Sequence, residues 1–232
     1  MKKYLFLLLL IPVLVSAQTR HVVEAVAGED LSQVVSPQMQ FLFPEFTHGD
    51  VFYKGFKSSG KLNYNMLLGE MQFLENDQVM SLANVKDIVL LKIDDRRFHP
   101  FNERGEFTEE LMSTDKCQLR VRRKGNVAQH SKKGAYGMDT STSSLTSYTS
   151  IGVDNRQYEL TISEKVLISL NNFYYLVGTN GKYILIKNVK AFTKQFPAHR
   201  AQIEKFAKDQ RIRFDNEDDL KTLLEFCSNL GN

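Results

Sequence analysis

Histidine and aspartate cluster at two places in this sequence. His48-Gly49-Asp50 is the first, and Asp94-Asp95-Arg96-Arg97-Phe98-His99 is the second. Imidazole nitrogens and carboxylate oxygens are common metal ligands. The preferred interpretation of the second stretch is a hairpin turn before Phe98, where charged groups lie in water and pair weakly. The alternative is a metal site, which would use His48, Asp50, Asp95 and His99.

A basic stretch runs from Lys116 to Met138 and contains seven lysines and arginines but no acid. Such a local excess of positive charge would attract an acidic envelope protein, an anionic glycan or a lipid headgroup. The alternative is a soluble edge strand with a loop, because lysine and arginine also deter edge-to-edge pairing of sheets. The residues predicted to bind an anion or a partner are Arg120, Arg122, Arg123, Lys124, Lys132 and Lys133.

No sequence motif assigns a catalytic residue. The G-x-S-x-G turn of serine hydrolases, the phosphate-binding P-loop, the dinucleotide fingerprint and the H-E-x-x-H zinc motif are all missing from the sequence. We therefore expect no cofactor and prefer a non-catalytic role.

Cys117 and Cys227 are the two cysteines, and each falls on the apolar side of its local pattern. One interpretation is a pair of buried, unreactive thiols, because apolar surroundings raise a thiol pKa. The other is a disulfide bond, which would close a loop of about 110 residues and add about 4–5 kcal/mol in the chain-entropy model. The sequence leaves both open.

Residues 1–17 have the pattern of a signal peptide. Lys2 and Lys3 precede an apolar run from Tyr4 to Val15, and small residues predict cleavage after Ala17. The run is too short to span a hydrocarbon core of about 30 Å, so we expect an exported mature chain with no transmembrane helix. Removing both lysines lowers the formal charge from +3 to +1, which disfavours nucleic acid as a partner.

Composition and periodicity predict an α+β fold. The 232 residues include 16 Phe and nine Tyr, enough apolar surface to exclude a disordered chain. Alternating patterns predict an antiparallel β-rich meander, a sandwich or small barrel, followed by two to three C-terminal α-helices. Phe173-Tyr174-Tyr175 must place an aromatic side chain on each face of its strand, and one of them is a candidate for partner contact. Asn180-Gly181 predicts a type I′ hairpin turn.

The predicted organisation has four parts. Residues 1–17 are the signal peptide, and residues 18–45 are an arm or linker. Residues 46–186 form the β-rich domain, in which residues 102–115 connect strands and residues 123–150 form a long flexible loop. Residues 187–232 form the helical segment packed on it, with Asn216 capping the last helix.

Phe43-Pro44-Glu45-Phe46 and Gly49-Asp50-Val51-Phe52-Tyr53 open the strand region, and Lys194-Gln195-Phe196-Pro197 and Glu217-Asp218-Asp219-Leu220 lie near the end of the chain. With the segments beside them, these stretches resemble exported proteins of unknown function from Bacteroidota. The resemblance implies the periplasm or the outer membrane, and it transfers no catalytic residue.

The preferred hypothesis is a non-catalytic envelope protein that acts through protein or glycan contacts. The alternatives are a periplasmic hydrolase with a carboxylate or metal site, and a carrier that holds a small apolar ligand inside a barrel.

Overall fold

The structure, a computed structural model, describes residues 23–25, 35–129 and 166–230. Its helices are α1 (Pro37–Gln40), α2 (Lys190–Gln195), α3 (Arg200–Asp209) and α4 (Glu217–Asn229), with 3₁₀ turns at Val85–Asp87 and Pro197–His199. Its strands are β1 (Val23–Ala25), β2 (Thr47–Tyr53), β3 (Lys57–Asn65), β4 (Glu70–Glu75), β5 (Gln78–Ser81), β6 (Ile88–Ile93), β7 (Arg96–Pro100), β8 (Phe107–Ser113), β9 (Cys117–Gln129), β10 (Val166–Gly178) and β11 (Tyr183–Leu185).

The strands form one antiparallel sheet in the order β1-β10-β9-β8-β7-β6-β2-β3-β4-β5. Strand β11 pairs with β10 on the edge that β1 also uses. Most neighbours in the sheet are consecutive in the chain, as expected for a meander, and α2, α3 and α4 come after the last strand. The predicted α+β class is confirmed, and the sheet is a single open one.

The sheet curls until the turn between β3 and β4 meets β8 and β9. The backbone N–H of Phe107 donates to the carbonyl of Gly69 at 2.9 Å, and that of Gly125 donates to the carbonyl of Leu67 at 3.1 Å. A Cβ at position 125 would lie 3.0 Å from the Leu67 Cα, so this close approach of two backbones favours glycine. The curled part encloses the first core, formed by Phe43, Val51, Leu62, Tyr64, Met71, Ile88, Leu91, Ile93, Phe98 and Phe107.

The second core lies between the helices and the inner face of β9 and β10. Alternation along each strand sends every second side chain to this face. The helices contribute their apolar stripes, and the core consists of Cys117, Leu119, Val121, Tyr174, Leu176, Ile186, Ala191, Phe192, Phe196, Ile203, Ala207, Leu220, Leu223, Leu224 and Cys227.

Local sequence signals correctly placed several elements. The side chain of Asn216 accepts a hydrogen bond from the Asp219 N–H at 2.9 Å, which is the predicted cap of α4. The predicted hairpin between Ile93 and Phe98 exists, but its turn consists of Asp94 and Asp95 alone, because Ile93 pairs directly with Arg96.

The end of the predicted N-terminal arm lies on the sheet. Met39 and Phe43 are buried. The Asn63 side chain accepts from the Phe43 N–H at 3.1 Å and donates to the Phe43 carbonyl at 2.9 Å. These paired bonds hold the extended backbone of the arm against β3.

Three local predictions are wrong. Residues 102–115 are not a simple connection, because β8 occupies Phe107–Ser113 and buries Phe107, Thr108 and Glu109. Residues 123–129 do not belong to the loop assigned to 123–150, because β9 continues to Gln129. The β10–β11 hairpin exists, but only Gly181 of its Asn180-Gly181 pair has a positive φ, so the turn is not type I′.

Several predictions lie outside the described residues. They concern the signal peptide, most of the arm, residues 130–165 of the predicted loop, and Lys132 and Lys133. Within the described ranges, no helix combines the length and the apolar character needed to cross a membrane.

Candidate functional site

The four predicted metal ligands do not come together. His48 and Asp50 lie on β2, Asp95 lies in the β6–β7 turn, and His99 lies on β7. Phe98 pairs with Leu91, which pairs with Val51, so His99 lies beyond the level of Val51. At about 3.3 Å per residue, this places it more than about 10 Å along the strands from His48. The described residues include no group of three His, Cys, Asp or Glu side chains that could hold a metal ion.

Two of these four residues have other partners. Asp50 accepts from the Ser59 hydroxyl at 2.6 Å and pairs with Lys57 at 3.2 Å, and these two hydrogen bonds lower the pKa of its carboxyl group. A His99 ring nitrogen lies 2.9 Å from Glu110 Oε2. Burial lowers the pKa of His99 and the positive charge of Arg120 lowers it further, although Glu110 acts in the opposite direction.

The basic stretch is divided between the two faces of the sheet. Arg122 pairs with Phe173 across β9 and β10, and Arg120 pairs with Tyr175, so these four side chains share one face. Val121 and Tyr174 alternate with them and belong to the helix-covered core. Arg120 and Arg122 therefore lie on the outer face, and Arg123 lies on the inner one.

Three of the predicted anion-binding residues pair with carboxylates of the chain itself. Arg122 contacts Glu106 at 2.8 Å, and Lys124 also pairs with Glu106. Arg123 pairs with Glu109 and lies 3.3 Å from Glu217 of α4. These contacts neutralise much of the positive charge that was predicted from the sequence to be available to an external anion.

The pKa of Glu106 reflects this pairing. Burial would raise it, but the hydrogen bond and charge of Lys124, the charge of Arg122 and the Asn102 amide together lower it below its ordinary value. Glu106 is therefore an ionised internal counterion at neutral pH.

Arg120 is the exception in the basic stretch. Its Nε and Nη2 donate to Gln118 Oε1, and its Nη1 donates to the Tyr183 hydroxyl at 2.7 Å. Both partners are neutral. Among the described residues no carboxylate pairs with Arg120, and its side chain is half-buried.

Aromatic rings surround these arginines on the outer face. The Arg122 guanidinium contacts two rings, with its centre 4.7 Å from the ring centre of Phe101 and 4.9 Å from that of Phe173. Phe101, Tyr175 and Tyr183 contact one another with ring centres 5.2–5.7 Å apart. We call this set the aromatic–arginine face; it consists of Phe101, Arg120, Arg122, Phe173, Tyr175 and Tyr183.

Sequence reasoning found only part of this face. It named Arg120 and Arg122, and it placed one aromatic side chain of the Phe173–Tyr175 run on an outer surface. It missed Phe101 and Tyr183, which reach the face through the register of β7 to β11 rather than through any local motif. The one signal available in the sequence was the alternation of Tyr183 and Leu185, which pair with Val177 and Tyr175 on the neighbouring strand.

The two cysteines lie in the same core. Both are free thiols, 2% and 0% exposed. Burial raises the pKa of Cys117 to about 11 and that of Cys227 to about 12, and the neighbouring Cys117 contributes to the second shift. Neither thiol is a nucleophile at neutral pH, because only the thiolate attacks.

Comparison with known proteins finds no matching family model, no similar curated protein and no similar solved structure.

Proposed function

We propose that this chain is a non-catalytic, exported protein of the bacterial cell envelope that acts by contacting a partner through the aromatic–arginine face. The observation that carries the proposal is the contact of the Arg122 guanidinium with the rings of both Phe101 and Phe173, on a sheet face that no described helix covers.

The aromatic and arginine side chains support a partner contact here, because such side chains supply much of the binding energy at protein interfaces. A ring fixes few rotatable bonds for the area it offers, and an arginine that already contacts two rings has lost much of its side-chain freedom. Phe101, Phe173 and Tyr183 remain partly accessible. Contact with a partner would therefore bury apolar area at a small additional cost in conformational entropy.

The compartment comes from the sequence pattern of residues 1–17 and from the resemblance to exported Bacteroidota proteins. The expected partner is an envelope protein; an anionic glycan or lipid headgroup is the other outcome that the experiment below resolves. The partners are expected in the periplasm or at the inner face of the outer membrane.

Neither alternative function gains support from the described residues. A metal-dependent hydrolase would need ligands from His48, Asp50, Asp95 and His99, which lie apart. A barrel carrying an apolar ligand would need free interior volume, but Tyr64, Phe98 and Phe107 are at most 1% exposed within the first core.

Site-specific photo-crosslinking in living cells tests the proposal. A photoreactive phenylalanine analogue replaces Phe173 in one tagged full-length chain. In the matched control it replaces Phe56, which is 62% exposed and stacks on Tyr53 in the β2–β3 turn. We expect one stoichiometric adduct from position 173 and none from position 56.

The identity of the adduct separates the partner classes. A protein adduct, identified by mass spectrometry, would support the proposal. A glycan or lipid adduct would instead identify the partner as a member of that class. Equal labelling from both positions, or none from position 173, would contradict a specific contact through this face.

A further inference from the structure

Arg120 retains hydrogen-bond donors that no described residue uses. A guanidinium group has five N–H donors. Gln118 Oε1 accepts from two nitrogens and the Tyr183 hydroxyl accepts from a third, which leaves two N–H groups free. Because Gln118 and Tyr183 hold the group from two sides, and its charge lies 5.6 Å from the Tyr183 ring centre, these donors are fixed in direction.

A shallow depression of about 270 Å³ opens beside this guanidinium. Its volume lies below the range of about 300–1,000 Å³ typical of small-molecule sites, so it suits a single functional group. Polar groups dominate its wall, where Arg120 and Gln118 lie beside the hydroxyl residues Thr114 and Thr179. The Thr114 hydroxyl already donates to the Cys117 carbonyl at 2.8 Å, so Arg120 is the main donor that this wall offers to an anion.

Glu110 lies directly opposite Arg120 in the register of β8 and β9, but other side chains already pair with its carboxylate. Arg97 and Glu110 form a pair at 3.5 Å, and His99 shares the same carboxylate. Burial lowers the pKa of His99 and the nearby positive charge of Arg120 lowers it further, so the ring is neutral at pH 7. Arg120 therefore has no counterion among the described residues.

We propose that the depression at Arg120 binds a carboxylate group of the partner, with the two free N–H donors of Arg120 as its anchor. A planar carboxylate accepts two parallel N–H bonds from a guanidinium, and its single negative charge balances the single unpaired positive charge. A dianionic phosphate would leave an excess of negative charge beside Glu110. The inference rests on the proposed function and specifies which group of the partner is recognised. The partner presents an acidic side chain or a C-terminal carboxylate at this end of the face.

NMR on the purified full chain tests this with acetate as the probe. The signals to follow are the side-chain Nε–H of Arg120 and the ring of His99. The charged groups that act on His99 are Glu110, Arg120 and Arg97. The Thr108 hydroxyl donates to the His99 carbonyl and also lies within hydrogen-bond distance of the Tyr183 hydroxyl. Acetate is titrated at constant ionic strength against chloride and phosphate. We expect acetate to shift the Arg120 signal saturably and to raise the pKa of His99, because a bound anion offsets the nearby positive charge.

Three variants make the result specific. R120Q should lose the acetate response, and R120K should lose most of it because a lysine keeps the charge but has no planar fork. R104Q, at an exposed arginine outside the depression, should respond like the wild type. An acetate effect equal to that of chloride, or one that survives in R120Q, would overturn the proposal, and a stronger response to phosphate would overturn the assignment to a carboxylate.

The crosslinking result separates this inference from the one on which it rests. If Phe173 crosslinks a partner but acetate has no effect at Arg120, only the carboxylate site fails. If acetate binds at Arg120 but position 173 yields no adduct, the site stands and the proposed contact face fails.

Discussion

Replacing Glu109 with glutamine should destabilise the fold far more than replacing a surface glutamate. Glu109 is 5% exposed and accepts hydrogen bonds from two arginines, Arg96 at 2.5 Å and Arg123. It lies between the two cores, because it pairs with Phe98 of one and Val121 of the other. Glutamine keeps the shape of the side chain but removes the charge that both guanidinium groups need.

The structure sets the size of the effect. Removing one member of a buried ion pair costs about 3–5 kcal/mol when it strands the other charge. Here Arg96 is 35% exposed and can regain water, and Arg123 keeps Glu217 at 3.3 Å. We therefore expect E109Q to lower the free energy of unfolding by about 2–3 kcal/mol, below that range because neither arginine is fully stranded.

Urea denaturation followed by circular dichroism measures this loss. The control is E204Q, which breaks an exposed pair between Arg200 and Glu204 one helical turn apart and should cost at most about 0.5 kcal/mol. The double variant E109L/R123M should recover part of the loss, because an apolar pair of similar volume can replace a buried ion pair. If E109Q and E204Q are equally stable, Glu109 is hydrated and the buried network does not support the fold.

Further predictions concern acid stability, strand packing and the thiols. Because the pKa of Glu106 is lowered in the folded state, its stabilising effect is full above the ordinary value of 4.5 and is lost as the pH falls through the lowered value. Urea midpoints should thus fall more steeply between pH 5 and 3 in the wild type than in E106Q, and parallel curves would refute the pairing. G49A should cost about 1–3 kcal/mol, because a Cβ there would lie 2.7 Å from the Lys92 carbonyl oxygen, whereas G60A, with open space around it, should stay within about 0.5 kcal/mol. A thiol reagent should label neither Cys117 nor Cys227 in the native protein and both after unfolding; if two thiols appear only after reduction, the protein contains the disulfide instead.

The features that could be predicted from the sequence were those that depend on residues close together in the chain. The cap and apolar stripe of α4 depend on residues within about four positions of each other, and the Asp94-Asp95 turn depends on two. Both were predicted, although the turn was expected to include Arg96 and Arg97, which belong to β7. Strand β8 was missed because Glu109 and Glu110 interrupt its apolar alternation. Their burial is explained by partners on neighbouring strands, namely Arg96, Arg97, His99 and Arg123.

The same limit applied to the candidate site. The basic stretch was visible in the sequence, but its internal neutralisation depends on the pairing of β8 with β9, including an irregularity between Glu110 and Met112. No local signal specifies that register. That register, together with the position of β11, also distinguishes two arginines. Arg122 pairs with Glu106, whereas Arg120 has no carboxylate partner among the described residues.

The turn between β3 and β4 has a consequence for how the protein unfolds. Its carbonyls accept the Phe107 and Gly125 amides, and the nearby Tyr64 hydroxyl lies 3.1 Å from the Phe107 carbonyl and 2.9 Å from that of Arg123. These contacts join a hairpin of the first core to the strands that carry the second, so neither half can open without exposing the other's polar backbone. The two cores should therefore form one cooperative unit, and the Phe107 and Gly125 amides should exchange with solvent deuterium only when the whole fold opens.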